Sequence, residues 1–183
     1  MFLYPWNKLE SDADKGDLFV CHLAQEAKPI HDPENYLPKL KEIFRFRSNY
    51  ESDRKKAVDL GWFLARFGTN LNLELQAKRT LWCIRTILIS ISAERREPVF
   101  APQVLAQRTK SDAARRLLLE RHDPRDSIEL SQFLRAFLEE ESSVDRFHKL
   151  ANEAEFKQRF IDTSNRVALK TMDQEAQSLA GYM

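Results

Sequence analysis

Apolar residues recur along most of this chain at alternating steps of three and four, the repeat of a helix that buries one face. The clearest stripe is Ala77, Leu81, Ile84, Leu88 and Ile91, and it predicts a helix over residues 72–94. A helix over 51–67 carries Val58, Trp62, Phe63 and Ala65, and Gly68 is placed to end it. Upstream, Gly16-Asp17 opens a helix to Glu26, with Asp17 as its cap. Leu37, Leu40 and Phe44 share one side of a helix expected over 34–46. Pro29 and Pro33 exclude a helix between these two and leave room for at most one short strand near 29–32.

Downstream, Pro102 starts a short helix to Gln107. Ser111 caps another that reaches Arg121, and Pro124 stops it. Asp126 with Glu129 makes a start of the capping-box kind, followed by Leu130, Phe133, Leu134 and Phe137 to about Leu138. Glu139-Glu140-Glu141 reads as a solvent-facing loop. From Ser143 one long final helix is expected, carrying Phe147, Leu150, Phe156 and Phe160 and fraying from about Gln174. The pattern is that of an all-α protein, a multi-helix bundle. Residues 1–33 read as a separate piece before a helical domain over 34–183, because both prolines and a change of charge fall near that point.

Composition supports this reading. Apolar residues make up 43% of the 183 and charged residues 31%, the proportions of a folded chain, and only 4 are Gly. The formal charge of +1 conceals a division into three. Residues 1–40 hold 4 basic and 7 acidic side chains, residues 41–125 hold 18 and 10, and residues 126–183 hold 7 and 11. A basic middle between acidic ends suits an anionic partner such as nucleic acid. It suits equally a protein whose own segments attract one another. Arg45, Arg47, Arg54, Lys55, Lys56, Lys78, Arg79, Arg115 and Arg121 are the candidate nucleic-acid contacts.

The chemistry-bearing motifs are sparse. No Gly-rich phosphate loop, no Gly-x-Ser-x-Gly elbow and no zinc spacing occurs, so neither a cofactor nor a metal is expected. Asp12-Ala13-Asp14 could hold a divalent ion only from a strand, and without apolar strand context it reads as an acidic loop. Cys21 and Cys83 lie in apolar runs and read as buried reduced thiols of a cytoplasmic protein. The N-terminus lacks a secretory pattern, and the run Leu81–Ile91, interrupted by Arg85, is too short to span a bilayer. The strongest cluster is Arg115, Arg116, Arg121 and His122. A histidine that moves a proton beside an arginine that steadies a phosphate could cleave RNA without metal.

The stretch Gly16-Asp17-Leu18-Phe19-Val20-Cys21-His22-Leu23-Ala24-Gln25-Glu26-Ala27-Lys28-Pro29-Ile30-His31-Asp32-Pro33 resembles the closing segment of a kanamycin-nucleotidyltransferase-like domain of the DNA-polymerase-beta superfamily. The helices after it resemble the HEPN (higher eukaryote and prokaryote nucleotide-binding) domain that accompanies such transferases. The transferase motif, Gly-Ser followed by Asp-x-Asp, is not matched before Gly16, because Asp12-Ala13-Asp14 lacks the Gly-Ser context. The resemblance therefore implies an accessory module rather than a transferase. Its partner would be a protein, either a transferase-type chain or a second copy. HEPN ribonucleases carry an Arg-x(4–6)-His motif. Arg116 to His122 meets that spacing, which implies an alternative role as a ribonuclease in a toxin–antitoxin or phage-defence setting.

Overall fold

The computed structural model describes residues 4–120, 125–141, 150 and 152–180, with side chains to residue 174. Among them are ten α-helices and a single 3₁₀ turn, with no strand. The helices are α1 Trp6–Asp14, α2 Leu18–Glu26, α3 Tyr36–Ile43, α4 Glu51–Phe67, α5 Leu73–Glu94, α6 Pro102–Arg108, α7 Asp112–Leu119, α8 Ser127–Glu141, α9 Glu153–Asp162 and α10 Arg166–Ala180. The all-α bundle read from the pattern is what forms. No helix among the described residues is long and apolar enough to cross a membrane. The chain forms two compact units, Met1–Glu51 with Ile89–Phe100, and Ser52–Leu88 with Ala101–Met183.

In the first unit α1, α2 and α3 pack against one another. The Asp17 carboxylate accepts from the Phe19 and Val20 amides and so fixes the start of α2. One carbonyl ties the three together: Ala13 O accepts from both Gly16 N and Arg45 N, each at 3.0 Å. Arg47 Nε donates to Lys15 O at 2.7 Å across the same junction. The Asp32 carboxylate accepts from Tyr36 N and Leu37 N at 2.8 and 2.9 Å, so α3 begins at Tyr36 rather than at Glu34. Tyr50 is fully buried, its amide donates to Glu94 Oε1 at 2.8 Å, and burial pushes its phenol above the ordinary range.

The second unit is built on α4, buried from Ala57 onward. Gly61 lets α8 approach, since a Cβ there would stand 3.1 Å from Leu138 Cδ1. Gln76 is fully buried and satisfies both its ends on α8. Nε2 donates to Ser127 O and Ser131 Oγ, and Oε1 accepts from Ser127 Oγ. On the other side Phe63, Phe67, Phe156 and Phe160 form a cluster of tilted and edge-to-face rings that joins α4 to α9. Beside it the nearly buried Asp59 meets Arg159, with Nε at 3.0 Å from Oδ2 and Nη2 donating to Oδ1 at 3.3 Å. Arg159→Met removes the guanidinium from a buried carboxylate and is expected to cost about 2 kcal/mol, less than for a fully buried pair because Arg159 is half in water. Urea denaturation followed by circular dichroism checks this.

Several expectations are corrected. Residues 6–14, with their Asp12-x-Asp14 pair, form helix α1 and not an acidic loop. Glu139-Glu140-Glu141 completes α8, because the Glu141 carboxylate accepts from Thr109 Oγ1 and Lys110 N at 2.8 and 2.9 Å. The single long final helix is broken at Thr163-Ser164-Asn165, where Ser164 takes φ 50° and Asn165 Oδ1 accepts from Ala168 N to begin α10. Its expected start at Ser143 lies outside the described residues. Helix α10 continues beyond Gln174 to Ala180.

Candidate functional site

Arg115 and Arg116 of the expected arginine–histidine cluster stand on α7. Ser111 caps this helix, its hydroxyl accepting from Ala114 N. Ala114, Leu117 and Leu118 face inward, which leaves Arg115 and Arg116 on the outer side. Arg115 is turned back on its own connection. Nε donates to Ala106 O and Nη2 to Thr109 O, both at 3.3 Å, and Nη1 pairs with Asp112. The Arg116 guanidinium lies over the Phe133 ring of α8, 5.1 Å from its centroid, with Nε 3.7 Å from Glu120 Oε2. Arg125 lies over the same ring at 5.4 Å and donates to Glu120 Oε2 at 2.6 Å. Its side chain is only 7% exposed. Arg116, Arg125, Phe133 and Glu120 therefore form a cation–π and ion-pair joint between α7 and α8. Phe133, Arg125 and Glu120 had no place in the sequence reading of this site. His122 and Arg121 lie outside the described residues.

The other candidate cations divide into two groups. Arg45 Nη1 donates to Glu42 O and Phe44 O at 2.6 and 3.0 Å, which closes the end of α3. Arg47, besides its bond to Lys15 O, lies over the Tyr50 ring at 5.4 Å. Both serve the fold of the first unit. In the second unit Arg54, Lys55 and Lys56 occupy the first turns of α4, with Lys55 exposed and the other two half-buried. Lys78 is exposed on α5, and Arg79 Nη2 donates to Gln174 Oε1 of α10 at 2.9 Å.

Cys21 and Cys83 are free and fully buried. Burial pushes the Cys21 thiol up to about 12 and the Cys83 thiol up as well, the latter against the opposing charge of Arg79. His22 stacks on Phe100 at 4.4 Å and stands 3.2 Å from Glu26 Oε2. Among the described residues no group of three or more His, Cys, Asp or Glu could hold a metal ion.

The feature that the helical pattern did not announce is aromatic. Tyr4 and Trp6 flank Pro5, whose backbone is extended at φ −60° and ψ 140°. Tyr4 meets Phe19 of α2 with centroids 5.0 Å apart, and Trp6 meets Tyr36 of α3 at 4.7 Å. Lys39 Nζ lies 5.5 Å from the Tyr36 centroid. Tyr4, Phe19 and Tyr36 nevertheless stay 48%, 43% and 44% exposed. The signal available in the sequence was the Tyr-Pro-Trp run, which no helical stripe absorbs. No protein-family model matches this chain, and neither does any curated protein or solved structure.

Proposed function

We propose that this chain is a non-catalytic helical accessory module that binds a protein through the aromatic face of its first unit, the partner being a second copy or a nucleotidyltransferase-type chain. One observation carries the reading. Four aromatic rings from α1 with its preceding turn, α2 and α3 are gathered in pairs, and three of them keep nearly half their surface in water. Aromatic side chains lose little conformational entropy on docking and dominate the energy of protein interfaces. A cytoplasmic setting suits two reduced, buried thiols.

The rival is a HEPN-like, metal-independent ribonuclease that uses Arg116 and His122. The engagement of Arg116 with Phe133 and Glu120 favours a structural role for that guanidinium over a phosphate-binding one. Sedimentation equilibrium separates the two readings when paired with an RNA-cleavage assay in EDTA. The wild type is expected to self-associate, and Phe19→Ser with Tyr36→Ser to shift it towards monomer without loss of helicity. A wild type that is monomeric throughout removes the second copy as partner. Cleavage of RNA by the wild type, abolished in His122→Ala, replaces the proposal with its rival.

A further inference from the structure

We propose that the outer face of α10, together with the adjoining turns of α4 and α5, binds the phosphodiester backbone of a nucleic acid. The surface lies on the second unit and uses other side chains, so it stands independently of the protein-binding reading.

Two polar ties assemble it. Asn165 is 1% exposed and its Nδ2 donates to Lys56 O at 2.9 Å, which pins the start of α10 beside the basic first turns of α4. Further along, the bond from Arg79 to Gln174 draws α5 to α10. Between these ties Arg166 and Lys170 stand on the exposed side, one helical turn and about 6 Å of axial rise apart. The buried Ala168 and Thr171 face the interior. Lys56 belongs to the turn of α4 that Asn165 holds, and the exposed Lys78 precedes Arg79 on α5.

The state of these charges differs from that of the arginines that are held by the chain itself. Arg45, Arg47, Arg115, Arg116 and Arg159 already hold carbonyls or carboxylates of the chain. Among the described residues Lys56, Lys78, Arg166 and Lys170 take part in no ion pair. A phosphate that approaches them displaces counterions and water, not a protein carboxylate, and this is the condition under which lysine and arginine give salt-dependent binding. A membrane surface is the less suited polyanion. Peripheral helices insert large apolar residues between their cations, whereas Arg166, Lys170, Asp173 and Gln174, all polar, make up the exposed positions of this stretch. Asp173 is the opposing charge among the exposed positions of α10, and Asp53 on α4 and Glu74 on α5 lie within a turn of Lys56 and Lys78. Neither Arg166 nor Lys170 stood out in the sequence, because they lie in a segment that is acidic on balance.

Fluorescence anisotropy with a labelled single-stranded RNA and a labelled DNA duplex, titrated at several KCl concentrations, tests the assignment. The wild type is expected to bind, with affinity falling linearly on logarithmic axes as salt rises. Arg166→Glu with Lys170→Glu should weaken binding at least about tenfold at low salt and flatten the slope by about 1.4 for the single strand or about 1.8 for the duplex. Asp173→Lys should tighten binding, an outcome that damage to the fold would not produce. The Phe19→Ser, Tyr36→Ser variant should retain wild-type affinity for nucleic acid. Three results overturn the proposal: no binding of either nucleic acid by the wild type at low salt; binding indifferent to both the double reversal and Asp173→Lys; or tighter binding to phosphatidylserine vesicles than to either nucleic acid.

Discussion

Gly16→Ala is expected to cost about 3–5 kcal/mol, a large fraction of the stability of a chain this size. Two penalties combine. Gly16 has φ +63°, the left-handed region, which costs an L-residue about 1–2 kcal/mol. The site is also closed. An added Cβ would collide with Arg45 O and stand 2.9 Å from both Arg47 N and Arg47 Cγ. Arg45 O belongs to the backbone, so it cannot rotate away. Relief would require the Ala13 O bonds to Gly16 N and Arg45 N to lengthen, and these are the bonds that tie α1 to the end of α3. Gly61→Ala is the internal comparison. There the neighbour is the flexible Leu138 side chain at 3.1 Å, and the gain in helix propensity of about 1 kcal/mol offsets the crowding. Urea denaturation of both variants, with Trp6 fluorescence reporting on α1 in a background of Trp62→Phe and Trp82→Phe, should show a large loss for Gly16→Ala and a small change for Gly61→Ala. Equal losses would show that the left-handed turn is not what fixes the junction.

The same junction explains what the sequence could and could not disclose. Helices α4 and α5 were legible because long apolar stripes set their buried faces and local residues set their ends. Asp17 and Ser111 were legible as caps for the same reason, since the bonds they accept reach no more than three residues along the chain. Helix α1 was not, because Ala13 is its one buried residue and its anchoring bond to Arg45 N spans thirty-two positions. The Glu139–Glu141 run looked like loop for a comparable reason: the acceptor that holds its end, Glu141, finds its donors on Thr109 and Lys110. Cations posed the hardest problem. A sequence counts arginines but does not say whether a guanidinium meets water, a carbonyl or a ring. Arg45, Arg47, Arg115 and Arg116 look alike in a tally of charge, yet each already meets a carbonyl or a ring of the chain. Lys56 and Lys78, by contrast, take part in no ion pair among the described residues.

Replacing Phe156 by Ala should be the most damaging change in the second unit, at about 3–5 kcal/mol. Phe156 is fully buried and is the centre of the ring cluster, with centroid separations of 5.7 Å to Phe63, 5.8 Å to Phe67 and 6.0 Å to Phe160. Truncation removes apolar contact and leaves a cavity that the three remaining rings, fixed to two different helices, cannot readily close. It also removes the ring over which the Arg66 guanidinium lies at 5.9 Å, while Arg66 Nη1 still donates to Leu150 O. Phe156→Leu, which restores most of the volume but not the edge-to-face geometry, should recover more than half of the loss. Chemical denaturation of the two variants measures both terms. If Ala and Leu are equally destabilising, ring geometry rather than volume holds α9 to α4. If Ala is nearly neutral, α9 is held chiefly by polar ties such as Asp59 to Arg159, and Arg159→Met should then be the costlier substitution.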